Sequence, residues 1–235
     1  MRLLPPLLLI LLLLPLPARA AAPWTEWNDL YVAIRDETIA PGLARKAATA
    51  LQPRLRAASR GAGSPARVFP VAGYGPECGE KGRNYQHGRY DYYGSNRKGL
   101  HPAHDLFIHD PDQDGRDDAT GQPVTVVAFS AGMVVATNTG WLPASPLKGG
   151  NYVWIYDPAT DRFCYYAHLA RVDVRPGDRV RAGAPLGLLG RTGKNAYARR
   201  SPTHLHFMVL AWDQGRMTPV NPWPELLRAR VVPGP

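Results

Sequence analysis

The sequence predicts a mainly β protein: an antiparallel β-sheet domain preceded by a short helical segment. Residues 43–60 are rich in Ala, Leu and Arg, which are strong helix formers, and the pattern stops at Gly61-Ala62-Gly63-Ser64-Pro65. From Val68 onward, short apolar runs alternate with Gly, Pro and Asp clusters at intervals too tight for helices. Near the end, His204-Leu205-His206-Phe207 alternates polar and apolar with the two-residue period of a strand.

Taken in order, residues 1–20 read as a signal peptide. Arg2 precedes an apolar run, and Ala18-Arg19-Ala20 has the small-x-small form of a cleavage site. The run is short for a bilayer span and is broken by Pro5, Pro6, Pro15 and Pro17, so a secreted protein, periplasmic or extracellular, is expected. Residues 21–63 form the helical segment and linker, with an amphipathic stretch over 24–38 and an interruption at Pro41-Gly42. Residues 66–225 form the β domain, and 226–235 a tail. Strands are predicted at 124–128, 133–137, 152–156, 163–169, 186–189 and 204–210. The 152–156 and 163–169 pair forms an antiparallel hairpin across Asp157-Pro158-Ala159-Thr160-Asp161. Stretches 73–99, 108–122 and 194–202 are loops, and loops on a β scaffold supply cleft walls.

Composition narrows the partners. The 235 residues carry 28 Lys and Arg against 19 Asp and Glu, a formal charge of +9. This favours anionic partners such as carboxylate-bearing wall polymers, lipid headgroups or nucleic acid. No RNA-binding signature, zinc-finger spacing or helix-turn-helix pattern is present, so a nucleic-acid partner is not expected. Arg45, Lys46, Arg54, Arg56 and Arg60 make a basic helical face that is either solvated, laid against an anionic wall or membrane surface, or packed over the cleft to regulate it. Cys78 and Cys164 are the only cysteines, giving either one disulfide or two buried thiols, and they cannot form a cysteine-rich metal site.

Three polar islands carry chemistry: His101-Pro102-Ala103-His104-Asp105, Tyr166-Ala167-His168-Leu169 and His204-Leu205-His206-Phe207. Imidazole nitrogen and carboxylate oxygen are the donors zinc accepts, and three protein ligands leave a fourth position for water. In a strand, His204 and His206 share one face. One of them can therefore bind a metal while the other stands beside it.

With these islands in order, the chain resembles the lysostaphin-like and LytM-like zinc endopeptidases of bacterial cell walls. That family's pattern is His-x-x-x-Asp, then Tyr-x-His-Leu, then His-x-His. The resemblance extends through Gly121-Gln122-Pro123-Val124, the 177–183 turn, the 187–193 glycine-bearing stretch and Val220-Asn221-Pro222, covering about 67–225. It implies one Zn2+ per chain held by His101, Asp105 and His206, with His168 and His204 as catalytic residues that move protons and stabilise the oxyanion. It implies hydrolysis of peptidoglycan peptides, in a stem peptide or cross-bridge. A non-catalytic wall-binding or amidase-activating protein of the same fold is the alternative, and relatives in that role usually lack some zinc ligands.

Three features depart from the pattern. His104 takes a usually apolar position, either as a spare metal or substrate contact or, as expected, facing away from the site. Met208 stands where the family commonly has Glu. An insertion, His109-Asp110-Pro111-Asp112-Gln113-Asp114-Gly115, spaces Asp110, Asp112 and Asp114 like the opening of a calcium loop, but the twelfth position is Gly121 rather than Glu. A weak Ca2+ site or a solvated acidic loop is expected there. Tyr74, Tyr85, Tyr90 and Tyr92 either line a substrate cleft or pack a glycine-rich loop.

Overall fold

The computed structural model describes residues 21–94 and 100–234. The expected signal peptide lies outside the described residues. Among the described residues no helix is long and apolar enough to cross a membrane.

Two helices lead, α1 (Pro23–Arg35) and α2 (Pro41–Ala58), each with proline in its first turn. There the missing N–H costs nothing and the fixed φ suits a helix start. Pro41 therefore begins the second helix rather than merely interrupting the first. The strands are β1 (Ala103–Phe107), β2 (Arg116–Asp117), β3 (Gln122–Pro123), β4 (Thr125–Val127), β5 (Gly132–Asn138), β6 (Asn151–Asp157), β7 (Arg162–Val172), β8 (Arg179–Val180), β9 (Pro185–Leu189), β10 (His204–Asp213) and β11 (Arg216–Val220). A single-turn helix, α3 (Trp223–Leu226), follows.

The main sheet is antiparallel and runs β1-β10-β7-β6-β5-β8, with β9 on β7 and β4 on β9. The expected hairpin is present as β6–β7. β1 and β11 had no strand signal of their own. They share one edge of β10, β1 along 204–208 and β11 along 209–213. Pro219 is tolerated in β11 because that strand pairs only with β10.

Alternation sorts the side chains into two layers. Phe163, Tyr165 and Ala167 of β7 and Met208 and Leu210 of β10 face one side, where Trp27, Ala44, Ala48, Leu51 and Leu55 of α1 and α2 cover them. Trp27 stacks on Phe163 with centroids 4.7 Å apart. Cys164, Tyr166 and Leu169, with Leu205, Phe207 and Val209, fill the opposite layer beneath β4 and β9. The helices thus cover part of the face on which His204 and His206 also project, and leave the rest for a cleft.

Much of the basic helical face is engaged by the chain itself. Arg54 pairs with Glu26 at 2.7 Å, Arg56 with Asp161, and Arg45 lies over the Tyr93 ring. Both cysteines are free thiols. Cys164 lies inside the sheet layer, Cys78 is half-buried, and burial pushes each thiol up to about 12.

Candidate metal and catalytic site

The β1–β10 register places Asp105 directly opposite His206, so carboxylate and imidazole are a cross-strand pair on one face. His101 precedes β1 and is fixed by a two-way backbone bridge with Gln86, each bond 2.7 Å. Its Nδ1–H donates to the carbonyl of Asn84 at 2.6 Å, which leaves the lone pair of a neutral ring on Nε2. That Nε2 lies 3.1 Å from Asp105 Oδ1 and 3.2 Å from His206 Nδ1, and His206 Nδ1 lies 3.1 Å from the same carboxylate oxygen.

The three donor atoms form a nearly equilateral triangle. Corners of a tetrahedron with bonds of about 2.0–2.1 Å stand about 3.3–3.4 Å apart, so the triangle matches one face of a four-coordinate zinc shell. Electrostatics agrees. An anionic oxygen and two nitrogen lone pairs aimed at one point repel unless a cation shares them. For Asp105, burial alone would raise the carboxyl, but hydrogen bonding with His101 and His206 outweighs it and holds the group far below its usual range. Burial pulls His101 down and the adjoining Asp105 more than offsets this, whereas burial prevails at His206 and lowers it.

His168 reaches this face by an irregularity. Along β7, Tyr165 and Ala167 face the helices, so strict alternation would turn His168 into the opposite layer. Instead Tyr152 pairs with Ala167 and Asn151 with Leu169, leaving His168 as the extra residue of a β-bulge with φ +69°. The bulge lets Leu169 resume the opposite layer while the His168 ring stands 4.9 Å from that of His204 and 5.7 Å from that of His206. A left-handed backbone at a non-glycine residue is strained and persists only where its surroundings over-determine it. Here the carbonyl of Gly149 accepts His168 N–H at 3.0 Å, and Thr192 carbonyl accepts its Nδ1–H at 2.8 Å. Burial, reinforced by the neighbouring His204 and His206, pushes His168 down to about 3. It is a neutral base at pH 7. His204 is oriented alike: Nδ1–H donates to Pro202 carbonyl at 2.7 Å, and Nε2 lies 3.6 Å from Asp105 Oδ1.

The five side chains open into a cleft of about 700 Å³. Tyr90 and Tyr92 line it, as do Lys148, Met208 and, from α1, Tyr31 and Arg35. The helical segment therefore forms part of the cleft wall, with Arg35 donating to the Tyr152 hydroxyl at 3.0 Å. Tyr74 and Tyr85 do not join this wall: the Tyr74 hydroxyl donates to Asp117, and the Tyr85 ring stacks on His104. His104 faces away from the donor triangle, fully buried, between the side chains of Asn84 and Asn221 at 3.1 and 2.9 Å. Asn84, Thr192 and Pro202 were missed by sequence reasoning because they act through backbone carbonyls, which leave no side-chain signature.

The acidic insertion is arranged differently from its sequence spacing. The acidic groups that approach one another are Asp110, Asp112 and Asp118, not Asp114. Asp110 accepts from the backbone N–H of Asp114 and Gly115 and from the Thr203 hydroxyl, which tie its carboxylate to the surrounding chain.

Residues 112–222 match peptidase family M23. The match holds His168, His204 and His206 and begins beyond His101 and Asp105, which the fold brings to them. Over this stretch the chain is similar to lysostaphin-like peptidases. Lysostaphin of Staphylococcus staphylolyticus is 30% identical over 131 residues, 56% of this chain and 23% of that protein. The glycyl-glycine endopeptidase ALE-1 of Staphylococcus capitis is 32% identical over 109 residues, 46% of this chain and 27% of that protein. The chain thus spans about a quarter of the length of these curated relatives. Among solved structures, the catalytic domain of lysostaphin from Staphylococcus simulans is 26% identical, covering 60% of this chain and 89% of that one, with a TM-score of 0.40.

Proposed function

We propose that the protein is a secreted zinc-dependent endopeptidase that hydrolyses peptide bonds of peptidoglycan. The reading rests on one observation: a donor triangle with edges of 3.1–3.2 Å, flanked by two imidazoles whose Nδ1–H groups are both taken up by backbone carbonyls. His101, Asp105 and His206 would hold the ion. Bound zinc supplies Lewis acidity, polarising an amide carbonyl and making water a usable nucleophile near neutral pH.

The chain's own residues supply the proton traffic and the electrostatics. With Nδ1–H given to a backbone carbonyl, His168 and His204 each leave Nε2 as the atom that can take a proton and, once charged, return it to a leaving amine. An imidazolium in this buried setting also stabilises the negative charge that develops on the carbonyl oxygen. Asp105, drawn on by His101 and His206, stays anionic throughout. The name of one relative, glycyl-glycine endopeptidase, supports a peptide bond as the target, and the resemblance to wall endopeptidases carries the choice of peptidoglycan.

The test is a digest of purified sacculi together with metal analysis. We expect one zinc per chain and release of muropeptides whose masses identify the bond cut. His168→Ala is expected to keep its zinc and lose release. A zinc-replete protein that releases nothing, or His206→Ala releasing peptide at the wild-type rate, would overturn the reading.

A further inference from the structure

The insertion at 109–118 lacks a calcium clamp, yet Asp110 within it is only 4% exposed. Its carboxylate is drawn inward to the segment that carries His204. The Thr203 hydroxyl donates to Asp110 Oδ2 at 2.6 Å and accepts from Arg191 at 2.9 Å. The polarity of this relay is forced, because a guanidinium only donates and a carboxylate only accepts. Thr203 itself is 1% exposed, so water does not compete. Arg191 also donates to the carbonyls of Ser201 and Ala198 at 2.8 and 3.2 Å, and Gln113 donates to the carbonyl of Arg199 at 2.8 Å. The insertion and Arg191 thus grip 198–203 from two sides. Pro202, inside the gripped stretch, supplies the carbonyl that sets the His204 ring.

We propose that this acidic insertion is a brace for the His204 segment, with Asp110 and Thr203 as positioning residues that act through the Pro202 carbonyl. The role of the brace in turnover rests on the peptidase reading above; its role in setting the ring does not. Thr203→Val keeps the side-chain shape but removes the acceptor of an Arg191 N–H and the link to Asp110 Oδ2, which keeps only its bond from the Gly115 N–H. Asp110→Ala removes the acceptor, whereas Asp110→Asn retains one.

The experiment uses the full zinc-loaded chain with 15N-labelled histidine. In the wild type, His204 is expected as a single Nδ1–H tautomer. In Thr203→Val and Asp110→Ala that signal is expected to become a mixture of tautomers. Zinc should stay at one per chain, kcat should fall by about tenfold or more, and KM should change by less than about twofold, because displacement of a catalytic group costs turnover before binding. Asp110→Asn is expected to recover most of the rate, and the exposed Asp118→Asn to match the wild type. An unmixed His204 signal with wild-type kcat in both Thr203→Val and Asp110→Ala would overturn the brace. So would Asp112→Asn and Asp118→Asn losing as much as Asp110→Ala while millimolar calcium raises Tm, since that pattern belongs to an ion site. If the wild type cleaves nothing, the peptidase reading fails and the tautomer signals alone decide the brace.

Discussion

Gly193→Ala is expected to disable the site without altering any of its five polar side chains. Gly193 has φ +107°, and a Cβ there would stand 2.1 Å from the Lys148 carbonyl, 2.9 Å from His168 Nδ1 and 3.1 Å from Gly150 N. An ordinary carbon–oxygen contact is about 3.4 Å, so the 193 loop or the 148–150 turn must retreat by more than about 1 Å. A left-handed conformation costs an L-residue a further 1–2 kcal/mol or roughly so. The His168 ring cannot stay behind, because its Nδ1–H is held by Thr192 carbonyl and its backbone N–H by Gly149 carbonyl, the two segments being pushed apart. Misplacing a reacting group by about 1 Å costs about a hundredfold in rate. The assay is muropeptide release under saturating sacculi, alongside zinc content and thermal melting. The expected result is one zinc per chain, Tm lower by about 3 °C or more, and kcat down by about a hundredfold. A kcat within about threefold of wild type would refute the claim that close approach of these loops holds the bulged histidine.

Other expectations follow from the same geometry. His206→Ala removes one corner of the donor triangle and is expected to abolish stoichiometric zinc, as read by elemental analysis of dialysed protein. Trp27→Ala, at a site 2% exposed and stacked on Phe163, is expected to cost about 3–5 kcal/mol in chemical denaturation and to loosen α1 from the sheet. The metal-free protein is expected to lose stability on acidification. His168 titrates near 3 when folded and near 6.5 when unfolded, so between those values the unfolded chain binds the extra proton and stability falls as pH drops, by at most about 1.4 kcal/mol per unit. Denaturation of metal-free His168→Asn across pH 4–7 should show a shallower slope, and an unchanged slope would count against a buried neutral ring.

The sequence was legible where chemistry or periodicity is local. His204 and His206 share a face because strand side chains alternate, and the β6–β7 hairpin follows from its turn residues. β1 and β11 were not legible as strands, since each is a short edge strand whose pairing partner, β10, lies elsewhere in the chain. The spacing of Asp110, Asp112 and Asp114 suggested an ion, but the fold turns Asp110 toward Thr203 instead. Alternation also predicts the wrong side for His168, because nothing in Tyr166-Ala167-His168-Leu169 announces an extra residue in the ladder.

What the residues determined by themselves was the inventory: two imidazoles and a carboxylate suited to zinc, two further imidazoles, and a β framework to carry them. Tertiary structure decided their geometry. Register across β1 and β10 set the Asp105–His206 pair, the bulge in β7 turned His168 toward the cleft, and backbone carbonyls of Asn84, Thr192 and Pro202 chose the tautomers. The physical reason is that a donor's identity belongs to its side chain, whereas its direction depends on hydrogen bonds and close contacts made by segments distant in sequence.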